Sequence, residues 1–235
     1  MREAEIAVAP VGSELIGEMD NLISKYASKH PLSQDFCRVV ALYALSRSGR
    51  DRNDFALQYV DNWIDFLEVG STEHKVGLVF LCNALMAMGE YEECRETSKR
   101  VMVLAEKEPT GYQTLVANLN HAYYLSEAYY HRAFDEPTGA GVRDREETDT
   151  CGREALKIAL ELKSAAEKAD RKNQLLDTVG AVLITCGQNE EQVREGLELC
   201  RAVLASSADS PGYELMKNFF ALHERRAFMR LADFD

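Results

Sequence analysis

Apolar side chains recur along most of this chain at the spacing of helix faces, and alternating, strand-like patterns are almost missing. In residues 153–170 the apolar positions Ala155, Ile158, Ala159 and Leu162 follow the i, i+3, i+4, i+7 spacing of an amphipathic helix. Helix start and stop signals divide the sequence into about nine or ten such segments. The pattern therefore predicts an all-α fold.

Several helix starts are marked by polar residues that can cap a helix. Two of these residues lie close to a proline, and one lies three positions before a glutamine. Ser33 is placed to cap the apolar run that follows it, and Thr110 with Gln113 forms a capping box. Ser210 precedes Pro211, which suits the first position of a helix. These signals predict that three helices begin directly after them.

Glycines recur between the helical segments and predict reversals of the chain. Gly49, Gly89 and Gly187 each follow an apolar run and precede a short polar turn, and Gly139 or Gly141 falls between them. The spacing of roughly 40 to 50 residues is typical of stacked helical hairpins. A glycine in the left-handed conformation ends a helix without a Cβ clash, so the next helix can pack antiparallel. We therefore expect the hairpins to form a curved superhelical array.

The segmentation predicts a single helical-repeat domain over residues 1–235. The stretch "DEPTGAGVRDREETD" lacks apolar periodicity and predicts a long surface loop at residues 135–150. Residues 1–12 are expected to be flexible.

The charge balance and the cysteines exclude several classes of function. The net charge is −12, so we expect no nucleic-acid partner, because that affinity depends on clustered Lys and Arg. The six cysteines form no CxxC pair, so neither a disulfide framework nor a zinc site is expected. No run approaches about 18 apolar residues and no signal peptide is recognisable, so we expect no membrane span and a cytoplasmic protein with reduced thiols.

A specific set of apolar, small, glycine and tyrosine positions occurs between residues 78 and 104. Its members are Leu78, Leu81, Cys82, Leu85, Gly89, Tyr91, Cys94, Val101 and Leu104. This set resembles a tetratricopeptide repeat. The resemblance implies a non-enzymatic adaptor whose concave groove binds an extended peptide or a partner helix, and it places Asn83 where such proteins often hold a peptide backbone.

The C-terminal half, from "AYYLSEAYY" at residues 122–130 to the last helix, is similar in order and spacing to the last five helices of the 14-3-3 phosphopeptide-binding family. The positions that grip phosphate in that family correspond here to Leu45, Arg52, Tyr123, Tyr124 and Gly180, of which Arg52 and Tyr124 match. This resemblance implies a divergent phosphopeptide-binding dimer as the alternative function. An oligomeric structural scaffold without a groove ligand is a further alternative.

Candidate binding residues lie on three segments. Arg47, Arg50 and Arg52 concentrate positive charge, and an arginine fork can hold a carboxylate or a phosphate with two hydrogen bonds. Tyr43 falls at a position comparable to Asn83, one hairpin earlier. Solvated surface charge is the competing interpretation of the arginines.

The third segment, residues 118–130, is the densest polar-aromatic stretch. Asn120, Tyr123 and Tyr124 are groove candidates there, because a phenol offers apolar area together with a hydrogen bond. Packing between helices is the competing interpretation.

Glu127 and His131 are one helical turn apart, but two ligands do not make a metal site. No catalytic motif is present. We therefore expect no enzyme, metal or cofactor, and a protein or peptide partner. Whether that partner is acidic or phosphorylated, and whether the chain forms a homodimer, stays open.

Overall fold

The computed structural model describes residues 13–45, 50–106, 111–135, 142–208 and 213–234, and these residues fold as helices without a strand. The prediction of an all-α fold is therefore confirmed. The described residues form ten α-helices, followed in one case by a π-helical turn at His131–Asp135. The α-helices are α1 Ser13–Ala27, α2 Gln34–Leu45, α3 Arg50–Asp65, α4 Thr72–Met88, α5 Tyr91–Ala105, α6 Gly111–Tyr130, α7 Val142–Lys168, α8 Lys172–Cys186, α9 Glu190–Ser206 and α10 Tyr213–Ala232.

The helices group into two compact units, Met1–Thr97 and Ser98–Asp235, whose boundary falls within α5. In the first unit α2, α3 and α4 pack on one another. In the second unit each helix from α6 to α10 packs on the next, and α8 also contacts both α6 and α10. The helices α6, α8 and α10 are therefore neighbours in one layer, with α7 packed against α6 and α8, and α9 packed against α8 and α10.

Two of the predicted helix signals are confirmed. The hydroxyl of Ser33 accepts a hydrogen bond from the backbone N–H of Phe36 at 3.3 Å and caps α2. Gly89 ends α4 with a φ of 81°, and the N–H of Glu90 donates to the carbonyl of Leu85 at 2.9 Å. This left-handed cap lets the chain turn into α5. The predicted signals at Gly49, Thr110, Gly139, Gly141, Ser210 and Pro211 lie outside the described residues.

Gly187 ends α8 for a different reason from the one predicted. Its φ of −55° and ψ of 135° are open to any residue, so the left-handed explanation is wrong at this position. A Cβ atom on Gly187 would lie 2.5 Å from the carbonyl oxygen of Leu183 and 3.1 Å from the side chain of Val193. Lack of space therefore requires glycine here.

Helix α7 begins at Val142, inside the stretch that we predicted as a surface loop over residues 135–150. The structure corrects the extent of that loop, because residues 142–150 are helical. A charged segment without apolar periodicity can therefore still begin a helix.

The six cysteines are all free and buried. Cys82 and Cys94 lie on the two helices of the α4–α5 hairpin. Each thiol donates to the carbonyl of the other residue, at 3.7 and 3.4 Å. These small side chains allow the two helices to approach closely. No helix in the described parts of the chain combines the length and the apolar content needed to cross a bilayer.

The α8–α9 hairpin packs backbone against backbone at two glycines. A Cβ atom on Gly196 would lie 2.7 Å from the carbonyl oxygen of Gly180 and 2.9 Å from the amide nitrogen of Ile184. A Cβ atom on Gly180 would lie 2.8 Å from the carbonyl oxygen of Gly196. Neither position has room for a side chain, so the contact fixes how closely α8 and α9 pack.

We predict that Gly196→Ala lowers the free energy of unfolding by about 1–3 kcal/mol, because backbone atoms must move to admit the new methyl group. Urea denaturation measures the change. Gly111→Ala is the matched control, since a Cβ atom there meets nothing within 4 Å, and it should alter stability by less than about 0.5 kcal/mol. Equal effects of the two substitutions would show that the hairpin has room at residue 196.

Candidate functional site

One face of α6 carries a continuous set of polar and aromatic side chains. Its members recur at three- and four-residue steps, so they lie on the same side of the helix. All of them except Glu127 are partly exposed. This surface, called the α6 face below, consists of Gln113, Val116, Asn120, Tyr123, Glu127 and Tyr130.

The α6 face is joined to α10 by a buried ion pair. The guanidinium of Arg226 donates two hydrogen bonds to the carboxylate of Glu127, with N···O distances of 2.5 and 3.0 Å. Arg226 is 4% exposed and Glu127 is 8% exposed. A bidentate pair of this kind fixes the orientation of both side chains. It therefore sets where α6 lies relative to α10.

Aromatic and basic side chains surround this ion pair. The guanidinium carbon of Arg226 lies 3.9 Å from the centroid of the Tyr130 ring, a cation–π contact that also orients the ring. His131 Nε2 lies 3.8 Å from the second carboxylate oxygen of Glu127. Glu127 and His131 are therefore in contact one turn apart, as the sequence suggested. No sequence pattern indicates that Arg226 is the main partner of Glu127.

A second acid–base pair, Asp177 on α8 and His223 on α10, lies in the same layer. Burial raises the pKa of Asp177, and the charge of His223 opposes this rise. Burial lowers the pKa of His223, with a further decrease from Arg226, and Asp177 and Glu127 oppose it. His223 is buried, and its Nδ1 atom has no hydrogen-bond partner among the described residues. We therefore treat His223 as neutral near pH 7.

Cys200 is the nucleophilic side chain closest to this pair. Burial raises its pKa, and the neighbouring Asp177 raises it further. Since a thiolate and not a thiol is the nucleophile, this cysteine is unsuited to covalent chemistry. In the described ranges no three His, Cys, Asp or Glu side chains come together as metal ligands would.

The two asparagine side chains of α6 differ in their hydrogen bonds. The side chain of Asn118 donates to the carbonyl of Thr114 at 2.8 Å. Asn120 lies on the α6 face and is half-buried. Within the described residues its amide makes no hydrogen bond. Asn120 therefore presents both a donor and an acceptor to a ligand.

Basic side chains lie at the N-terminal end of the α6 face. Gln113 belongs to this face and also lines a cavity of about 870 Å³ together with Tyr112, Lys168 and Arg171. The side-chain oxygen of Gln113 is buried and lacks a hydrogen-bond partner in the part of the chain that the structure describes. This end of the face therefore combines a cavity lined by two cations and the carboxylate of Asp170 with an unsatisfied acceptor.

The candidates of the first unit do not all reach the surface. The ring of Tyr43 is only 6% exposed, because it falls on the packed side of α2, and this corrects its assignment to an open groove. Asn83 is exposed on α4. Arg50 and Arg52 lie in the first turn of α3, and Arg47 lies outside the described residues.

The candidates of the second unit lie side by side but in different surroundings. Asn120 and Tyr123 both belong to the α6 face. Tyr124 is 5% exposed and points into the unit, so its assignment to a groove is also corrected. The Tyr123 and Tyr124 rings meet edge to face, with centroids 5.9 Å apart. That candidates of both units line one common groove stays a prediction.

Position 180 bears on the phosphopeptide alternative. The resemblance to the 14-3-3 family implies an asparagine there, whereas Gly180 is buried against Gly196 and Cys200. A side chain at this position has no space in the α8–α9 hairpin. The second unit therefore cannot offer a polar side chain to a ligand at residue 180.

Comparisons with protein-family models, with curated proteins and with solved structures find no match to this chain.

We predict that the free energy of unfolding falls as the pH drops from 7 to 5, in part because of His223. The lowered pKa means that the folded state binds fewer protons here than the unfolded state does, whose histidine titrates near about 6.5. This contribution is present above that pH and is lost as the pH falls toward the folded-state pKa. Urea denaturation of wild type and His223→Gln at several pH values measures it, and the variant should show a shallower pH dependence.

His30→Gln provides the control for replacing a histidine by glutamine, because His30 is exposed and lies in the first unit, and it should leave the free energy of unfolding near pH 7 within about 0.5 kcal/mol of the wild type. A His223→Gln variant with the same pH dependence as the wild type would mean that His223 does not resist protonation in the fold.

Proposed function

We propose that this chain is a non-enzymatic protein-interaction module that binds a peptide segment on the α6 face of its second unit. The observation that carries the proposal is the position of Asn120 and Tyr123 on one partly exposed face, with the Asn120 amide unsatisfied within the described residues. An amide of this kind can bond both the N–H and the carbonyl of a peptide backbone. Tyrosine rings supply contact area at a small cost in side-chain entropy.

The rigidity of the face supports binding by a preformed surface. The Arg226–Glu127 pair and the contact of Arg226 with Tyr130 hold the C-terminal end of the face against α10. A preformed surface loses less conformational entropy when it binds a ligand. The buried, protonated thiol of Cys200 supports a binding role rather than a catalytic one.

The charges at the N-terminal end of the face suggest the chemistry of the ligand. The cavity that Gln113 shares is lined by two cations, Lys168 and Arg171, and by one carboxylate, Asp170, so that positive charge is in excess. We therefore propose that the ligand places an acidic group at this end while its backbone runs along Asn120. Binding of phosphorylated and unphosphorylated versions of one peptide would show whether a phosphate can replace the carboxylate.

We predict that a displayed peptide library selected on the full chain yields acidic sequences that Asn120→Ala binds about tenfold more weakly, because the substitution removes hydrogen bonds to the peptide backbone. Fluorescence anisotropy with the selected peptides measures the affinity.

Asn118→Ala is the matched control. It lies on the same helix, but its amide is already bonded to Thr114, so peptide affinity should not change. Helical circular dichroism should be the same for both variants. Selection of no peptide above background, or an equal loss in the two variants, would contradict binding on the α6 face.

A further inference from the structure

The outer side of α10 exposes large apolar side chains that the second unit leaves uncovered. Leu222, Phe228 and Met229 are each 44 to 56% exposed. Another side of the same helix packs into the unit through Ala227, Phe220 and Leu231. A helix that is apolar on both sides is typical of one packed on both sides.

The exposed side chains have the spacing of a helix-pairing seam. Leu222, Arg225 and Met229 follow one another at three and four residues, so they form a single line along α10. Phe228 lies beside this line. This surface, called the α10 seam below, consists of Leu222, Arg225, Phe228 and Met229.

The charges on α10 indicate what kind of partner fits. Arg225 is exposed at the centre of the seam. Between residues 217 and 234 both carboxylates are engaged elsewhere, since Glu224 pairs with Arg201 at 2.6 Å and Asp233 pairs with Arg230 at 3.3 Å. No carboxylate of the described residues neutralises Arg225.

A second copy of this chain does not fit the seam. Two-fold pairing of identical seams brings each residue close to its own copy around the axis. Arg225 lies midway between Leu222 and Met229, so a pair whose two-fold axis passes through the centre of the seam would place two guanidinium groups opposite each other. Like charges at this position are unfavourable. A different helix that carries a carboxylate opposite Arg225 would satisfy the charge and cover the apolar residues.

We propose that the α10 seam is a docking site for an amphipathic helix of a partner protein, with apolar seam positions and a central acidic residue. Binding of this kind lays an apolar helix face against matching side chains. It uses a surface distinct from the α6 face, so Asn120→Ala leaves it unchanged.

Two synthetic helical peptides test the proposal. Both peptides are about 21 residues long, which is three heptads, and carry leucine at the positions that face the seam. One peptide has glutamate at the central position of this face, and the other has lysine there. Fluorescence anisotropy at low salt with the full chain should show the glutamate peptide binding about tenfold more tightly. Arg225→Glu should reverse this preference, and Leu222→Asp should weaken both peptides by more than about tenfold.

Val69→Asp is the control, because Val69 is also exposed but lies in the first unit, and it should bind both peptides as the wild type does. Circular dichroism establishes that each variant is folded. Failure of the glutamate peptide to bind, or equal binding by wild type and Leu222→Asp, would overturn the proposal. Sedimentation velocity should show a monomer. A dimer that Leu222→Asp dissociates would overturn the proposal, because a second copy of the chain would then occupy the α10 seam.

Discussion

The Arg226–Glu127 pair is the interaction on which the second unit depends, because a buried guanidinium must have a partner. Removing two opposite charges from water is costly, and the pair is stable only when its hydrogen bonds are made. Here the fork of Arg226 meets both carboxylate oxygens of Glu127. Glu127 lies on α6 and Arg226 lies on α10, and the two residues are 99 positions apart in sequence. This requirement fixes α6 and α10 in one layer, on either side of α8.

The geometry of that layer determines which surfaces remain for binding. Close packing at Gly180 and Gly196 sets the spacing of the α8–α9 hairpin, and α10 packs against both of its helices. The ion pair then holds one end of the α6 face, so its polar side chains are displayed on a rigid element. On α10 the same arrangement buries one side of the helix and leaves the α10 seam exposed. Packing thus produces two surfaces of different chemistry, one polar and aromatic, the other apolar with a central cation.

Local features of the fold could be predicted from sequence, whereas long-range partners could not. Apolar periodicity, the Ser33 cap and the Gly89 turn depend on neighbouring residues, and the structure confirms them. The predicted reason for glycine at position 187, a left-handed backbone, is wrong. The residue type alone does not distinguish a need for positive φ from a lack of space for a side chain. Residues 142–150 were expected in a loop, since charge patterning alone does not exclude a helix.

The candidate site was predictable only in part, because it also depends on partners that are distant in sequence. Asn120 and Tyr123 stood out by composition, but the direction in which a tyrosine points depends on its neighbours in space, and Tyr43 and Tyr124 are buried. Arg226 directly follows His223, Glu224 and Arg225, so the sequence favours a charged, solvated run at this position. Only the structure identifies Glu127 as the partner of Arg226.

The most direct test is a double-mutant cycle on Glu127 and Arg226 measured by urea denaturation. Arg226→Met and Glu127→Leu should each lower the free energy of unfolding by about 3–5 kcal/mol, because each leaves a buried charge unpaired. The double variant should lose far less than the sum of the two. The same cycle on the more exposed pair Arg201 and Glu224 should give a coupling of at most about 1 kcal/mol. Additive losses at Glu127 and Arg226 would contradict the claim that this pair holds α6 to α10.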